Sequence, residues 1–288
     1  MSGTTTATKT QAIVDSLNVD MCKEHGAIVM YLQHSWQAGG NRLAERVRRV
    51  SREEMWHMEW LAEAIYDLGG TPAVQREAIS TFDTIRASLE VDVHAEEDAL
   101  DHYRHTLSLL GEDDESLRRL IERIMGDEQA HHAIFKELLD ELERLGEDTF
   151  KPLAWAEMVD VPRLVPNAER EYEGLLQYLW SKFICGDTDQ AEKYFELSID
   201  EMRHLEWIAE AILYKPNPQL GVNVLPRVHP LGQCDAATSR MTDYENTTMS
   251  EYMHSRDAVA SEDLRKLLDR IIFQHDYHQF TLEGIRGD

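Results

Sequence analysis

The stretch Ser51–Asp67, SREEMWHMEWLAEAIYD, returns at Ser198–Tyr214 as SIDEMRHLEWIAEAILY, displaced by 147 positions. The same displacement carries Tyr31-Leu32 onto Tyr178-Leu179 and Leu120–Arg123 onto Leu267–Arg270. Solenoid units repeat every ~20 to 50 residues, so a period near half of the 288-residue chain means a duplicated domain. The chain must fold as two versions of one design. The expected units are 1–148 and 149–288, the second beginning with a linker.

Each half reads as four helices, and strand signals are absent. In the first half they are expected at residues 11–38, 41–69, 82–110 and 113–145, broken at Gly39-Gly40, around Gly69-Gly70 and Pro72, and at Gly111. The start, MSGTTTATKT, is expected to be a loose tail. The connection after the second helix is the longest, and in the second half it grows into a Pro-bearing loop from Lys215 to about Ser239. One long crossover among short turns gives an all-α fold of two tandem four-helix bundles. The stretch Asp148–Asn167, with Pro152, Pro162 and Pro166, is the natural linker.

The apolar stripes of these helices contain residues that do not belong in a core. In the third helix the buried face runs Leu89, Val93, Glu96, Leu100, Tyr103, Leu107, Leu110. The fourth runs Leu117, Ile121, Ile124, Glu128, His131, Phe135, Leu138, and the second runs Val47, Val50, Glu54, His57, Leu61, Leu68. In the first, Glu24 falls between Met21 and the pair Ile28 and Tyr31. Four carboxylates and two imidazoles therefore point at one bundle axis. Unpaired buried carboxylates are costly and repel one another until they bind protons or cations. A metal pair resolves the conflict, held by one Glu from each of two helices and a Glu-x-x-His from each of the other two. One or two such motifs should arise by accident, and Glu251-x-x-His254 reads as one.

Composition narrows the partners. With 29 basic and 54 acidic residues the formal charge is −25, which repels phosphate backbones and anionic membranes and concentrates cations. Neither nucleic acid nor membrane is an expected partner. No apolar run approaches the roughly 18 to 20 residues of a membrane span, and a cytoplasmic location is expected. Cys22, Cys185 and Cys234 are an odd, scattered set with no CxxC pair, which argues against a disulfide framework, a zinc ribbon or a rubredoxin-type iron site, so they read as buried or idle thiols.

The first half resembles bacterioferritin and its rubrerythrin-related, ferritin-like relatives. The resemblance rests on the spans EHGAIVMYLQHS from Glu24, EMWH from Glu54, EEDALDHYR from Glu96 and DEQAH from Asp127, in family order with similar gaps. It implies a diiron site in which Glu54 with His57 and Glu128 with His131 each chelate one metal, with Glu24 and Glu96 completing the set. Glu96 is preferred to Glu97 because the family ligand lies seven residues before an aromatic or Leu followed by Arg, here Tyr103-Arg104. Tyr31 matches a tyrosine beside the family's diiron site and is a candidate catalytic residue, as is Tyr178 in the second half. Met55 and Met202 follow the second-helix glutamates where the family holds haem between subunits, so the resemblance also raises a haem between the two halves as a fused pseudo-dimer.

The repeat carries this set to Glu171, Glu201, His204 and Glu245, the last placed by its spacing to Tyr252, with Glu169, Glu173 and Glu251 nearby as alternatives to Glu171 and Glu245. The final motif departs, because His275 stands where the first half has Glu128, and His278 where it has His131. The frame Leu264, Leu268, Ile271, His275, His278, Leu282, Ile285 turns both imidazoles inward. Three Glu and three His favour lower oxidation states or softer divalent ions, so iron, manganese or zinc is expected there. The expected function is a diiron oxidoreductase of ferroxidase or peroxide-reducing type, with O2 or peroxide as partner. The alternatives are an oxygenase acting on a small organic substrate and a metal-braced scaffold without catalysis. A homo-oligomer is possible; a storage shell is disfavoured because no fifth helix follows either bundle.

Overall fold

The computed structural model describes residues 2–38, 42–73, 75–80, 84–147, 161–186, 188–213 and 234–287, and among them eight α-helices and no strand. They are α1 (Ser2–Ala38), α2 (Arg42–Asp67), α3 (Ile85–Leu109), α4 (Glu115–Leu145), α5 (Val161–Cys185), α6 (Asp189–Leu213), α7 (Cys234–Ala258) and α8 (Glu262–Gly287). A 3-10 turn, Glu112–Asp114, leads into α4. The chain divides into two compact units, Met1–Pro152 and Leu153–Asp288. In the first, α1 packs on α2 and α3, and α4 on α2 and α3; in the second, α5 to α8 repeat that pattern in order. Both units are ferritin-like four-helix bundles.

Local chemistry sets the helix ends. Thr84 caps α3, its hydroxyl accepting from the Ala87 amide at 3.2 Å. At the end of α2, Gly69 takes φ +76°, which a side chain would resist, and the Gly70 amide returns to the Ile65 carbonyl at 2.9 Å. The crossover that follows is pinned to α1: the Ala73 amide donates to Asn18 Oδ1 at 2.7 Å and the Glu77 amide to the Cys22 carbonyl at 3.0 Å. This backbone pairing places residues 77–80 over the middle of the bundle, beside the interior carboxylates.

The inward stripes form the cores. In the first unit Val47, Val50, Leu89, Phe135, Leu138 and Leu142 are buried, with the Phe135 ring 4.9 Å from that of Tyr31. In the second, Tyr178, Ala191, Tyr194, Leu197, Met241 and Leu282 do the same work. A surface contact is also duplicated: Arg123 lies over Trp60 at 4.1 Å, and Arg270 over Trp207 at 3.9 Å.

Five expectations need correction. The first helix starts at Ser2 rather than after a loose tail, and Lys9 ties its early turns to Asp114 at 2.6 Å. Helix α3 begins at Ile85 because Thr84 is its cap. The presumed linker gives way to helix at Val161, and Pro166 sits inside α5; the crossover of the second unit gives way to α7 at Cys234, not near Ser239. Cys185 and Cys234 are not idle thiols but a disulfide joining the end of α5 to the start of α7, with Cα atoms 4.9 Å apart. Helix packing brings them together across 49 positions, a proximity that spacing alone does not reveal. Cys22 remains a free, partly buried thiol. The Gly39-Gly40 turn, most of the linker and most of the second crossover lie outside the described residues. No helix among the described residues is long and apolar enough to cross a membrane.

Candidate metal centres

In the first unit the four helices deliver Glu24, Glu54, His57, Glu96, Glu128 and His131 to one interior point, none more than 2% exposed. His57 Nδ1 lies 2.7 Å from Glu54 Oε2, 2.8 Å from Glu128 Oε1 and 3.6 Å from Glu24 Oε2. His131 Nδ1 lies 3.0 Å from Glu54 Oε1 and 3.6 Å from Glu128 Oε2. Yet both oxygens of Glu54, Glu128 Oε1, Glu96 Oε2 and both Nδ1 atoms have no hydrogen bond of ordinary geometry. Atoms this close and unbonded to each other are aimed at a shared point rather than at one another. Glu54, His57, Glu128 and His131 offer one donor each within 4.8 Å of the rest.

Contacts behind these donors fix their direction. Tyr31 donates to Glu96 Oε1 at 2.6 Å, and Tyr103 donates to Glu24 Oε1. The outward nitrogens of the imidazoles meet carboxylates: His57 Nε2 is 3.5 Å from Asp127 and His131 Nε2 is 2.9 Å from Glu53. One turn further out, Asp92 pairs with His34 at 2.7 Å, and Asp20 binds His102 and the Thr106 hydroxyl.

The electrostatics describe an interior short of positive charge. Burial, then repulsion from Glu128 and Glu54, lifts the Glu24 and Glu96 carboxyls well above their usual range. Burial opposes charge on His131, but the carboxylates of Glu54 and Glu128 outweigh it and push the imidazole up to about 11. Tyr31 and Tyr103 are held as phenols by burial and by the carboxylates they face. Protons here occupy positions that cations would fill.

The second unit gathers Glu171, Glu201, His204, Glu245, His275 and His278, all wholly buried. Two four-donor groups arise, one of Glu171, Glu201, His204 and His275 and one of Glu201, Glu245, His275 and His278, sharing Glu201 and His275. His204 Nδ1 bonds Glu171 at 3.1 Å; His275 bonds Glu245 through Nδ1 at 2.8 Å and Glu171 through Nε2 at 3.3 Å. His278 Nδ1 meets Glu245 at 3.3 Å and Glu201 at 3.4 Å. Neither Glu201 oxygen accepts a hydrogen bond of ordinary geometry, and burial together with the Glu171 charge raises its carboxyl to about 7. Tyr178 donates to Glu245, the counterpart of the Tyr31 contact.

The alternative donors lie elsewhere. Glu97 is exposed and bonded to His94 and His132, while Glu251 is exposed and paired with Arg170. Glu169 and Glu173 are half-buried. Met55 and Met202 are buried. Sequence reasoning missed Asp20, Asp92, Glu53 and Asp127, and used Tyr103 and Tyr252 only as spacing marks. A signal existed, since Asp20 and Asp92 each precede an interior glutamate by four residues and so share its helix face.

A duplicated four-helix bundle with a long crossover, and carboxylates and imidazoles directed inward from all four helices, defines a ferritin-like metal-binding protein. The chain belongs to the bacterioferritin-related ferritin-like superfamily. The family model for the ferritin-like domain matches residues 14–145. Bacterioferritin of Mycolicibacterium paratuberculosis is 30% identical over 141 residues, covering 46% of this chain and 87% of that protein. Bacterioferritin of Desulfovibrio desulfuricans is 29% identical over 143 residues, covering 48% and 79%. A crystal structure of the Desulfovibrio protein, described by its diiron site in different catalytic states, aligns at 28% identity and TM-score 0.46 over 49% of this chain and 86% of that one. The segment matched by the family model lies within the first unit.

Proposed function

We propose that the first unit is a ferroxidase-type centre that takes up two iron(II) ions and passes their electrons to O2 or peroxide. The observation that carries this is the set of six buried donors from all four helices, five of which, Glu54, His57, Glu96, Glu128 and His131, present atoms left without hydrogen-bond partners. The donor set fits iron: carboxylates suit hard cations, imidazole suits borderline ones, and four negative charges neutralise two divalent ions. Membership of the superfamily supports the same metal. Glu54 with His57 and Glu128 with His131 would grip one ion each, with Glu24 and Glu96 completing the coordination.

Iron is the substrate of this reaction. Two iron(II) ions each give up one electron, and O2 takes both with two protons to become H2O2; with peroxide as oxidant, the same two electrons and two protons yield two waters. The protein's share is position and access. Tyr31 and Tyr103 hold Glu96 and Glu24 by hydrogen bonds, and Asp127 and Glu53 hold the outer edges of the imidazoles. A cavity of about 190 Å³ reaches Glu24, Glu54, Glu96 and Glu128 from a rim that includes exposed Glu77, His94 and Asp98. Lys23 pairs with Glu77 at 3.2 Å on this rim, so Asp98 and the interior carboxylates supply the negative charge that attracts cations. Pockets for organic ligands usually span ~300 to 1,000 Å³, so this one suits an ion, O2 or peroxide better than an organic substrate.

The test is anaerobic loading of metal-free protein with iron(II), elemental analysis, and stopped-flow absorbance on mixing with O2 or H2O2, for the parent and for Glu128→Ala and His131→Ala. Rapid oxidation in the parent, with loss of both oxidation and about two irons in the variants, supports the proposal. Oxidation no faster than that of free iron(II) refutes it.

A further inference from the structure

Positions matched between the two units show a directed loss of negative charge around the second centre. Glu24, Glu54, Glu96 and Glu53 have carboxylate counterparts in Glu171, Glu201, Glu245 and Asp200. The other four carboxylates at or beside the first centre do not: Glu128 becomes His275, Asp127 becomes Gln274, Asp20 becomes Asn167, and Asp92 becomes Met241. The replacements fit their surroundings rather than leaving gaps. Gln274 Oε1 contacts His204 Nε2 at 2.6 Å, where Asp127 faces His57, and Asn167 accepts from Ser255 at 3.0 Å, where Asp20 binds Thr106. Met241 is packed in the core beside Tyr178. The acidic gains beside these positions, Glu169 for Cys22, Glu173 for Gly26, Asp243 for His94, Glu251 for His102 and Asp276 for Gln129, are exposed or half-buried, and Arg170 pairs with both Glu173 and Glu251.

The second interior nevertheless asks for cations. Glu201 is wholly buried, both its oxygens lack a hydrogen bond of ordinary geometry, and it belongs to both four-donor groups. His278 Nε2 is also buried and unbonded, 3.7 Å from Asp200. Three carboxylates leave two divalent ions with one surplus positive charge, and each electron withdrawn would add another. In a low-dielectric interior, adding that charge is strongly opposed when four nearby carboxylates are missing. Three imidazoles favour borderline divalent ions such as Fe²⁺, Co²⁺ and Zn²⁺.

We propose that the second unit is a separate dinuclear site for borderline divalent cations, which the two four-donor groups sharing Glu201 and His275 would hold, and that it keeps them divalent in air. Such a site would carry one surplus positive charge and take no part in oxidation. This proposal does not rest on the reading of the first unit.

The experiment uses the full-length chain carrying Glu128→Ala, with Glu54→Gln as a second variant, circular dichroism confirming helix content in each. Metal-free protein is loaded anaerobically with ⁵⁷Fe(II), counted by elemental analysis, exposed to air, and examined by Mössbauer spectroscopy; a parallel titration with Co²⁺ follows visible absorption. The expected result is about two irons per chain that remain ferrous at least a hundredfold longer than the iron of the parent's first unit, with two equivalents of Co²⁺ bound. Adding His275→Glu should restore air oxidation. Absence of bound iron and cobalt in both folded variants would overturn the proposal, as would oxidation of the second pair as fast as the first. Failure of the parent's first pair to oxidise bears only on the ferroxidase reading.

Discussion

Replacing Glu96 by Gln should stabilise the metal-free protein while weakening the metal-loaded one. Glu96 is buried, one oxygen accepts from Tyr31, and the other has no partner. Burial, then the charges of Glu128 and Glu54, raises its carboxyl well above the ordinary 4.5. A carboxyl raised on folding contributes stability that is complete below its unfolded value and is lost as pH climbs toward the folded one. At pH 7.5, three units above 4.5, the loss cannot exceed about 4 kcal/mol at about 1.4 kcal/mol per unit. Glutamine keeps the oxygen that Tyr31 needs and has no proton to bind, so it escapes this loss. At about 2–4 °C per kcal/mol for a domain of this size, metal-free Glu96→Gln should melt up to about 8–16 °C above its parent at pH 7.5 and level with it near pH 4.5. Calorimetry with chelator measures this directly. With iron(II) or Co²⁺ present the order should reverse, because the variant has lost a donor. A metal-free variant that melts below its parent at pH 7.5 would show that Glu96 is ionised and satisfied without a cation, and the argument for a metal interior would fail.

Phe135→Ala should cost the first unit about 3–5 kcal/mol and its counterpart Leu282→Ala should cost the second about 2–5 kcal/mol, each moving one calorimetric transition and sparing the other. Reducing the Cys185–Cys234 disulfide should lower the stability of the second unit by about 4 kcal/mol, the loop-closure value for that separation, read from its denaturant midpoint. Alkylation under denaturing conditions should then mark three thiols where one was open before.

The parts of the molecule that were legible in the sequence are those where a helix period meets a chemical contradiction. Glu54, His57, Glu128 and His131 stand out because charge at a core position of a 3.6-residue pattern has no ordinary explanation. Glu171 and Glu245 could be placed only through the repeat, and the structure buries both while leaving Glu169, Glu173 and Glu251 outside the interior. The supporting shell was harder to see. Asp127 and Glu53 flank their motifs on the solvent side, where a helix normally carries acid, and only three-dimensional packing reveals that each meets an imidazole edge. Thr-rich residues 4–6 disguised the start of α1, since β-branched side chains weaken helix propensity without forbidding the helix. The disulfide escaped because its two halves belong to helices separated by the longest connection in the chain.

Each bundle draws all six of its inward donors from its own four helices. An enzyme built from identical subunits must carry any mutation at every copy of its site at once. Here a substitution at residue 275 alters one centre and leaves residue 128 as it was, so two unlike chemistries can diverge within a single gene while translation keeps them in strict one-to-one supply.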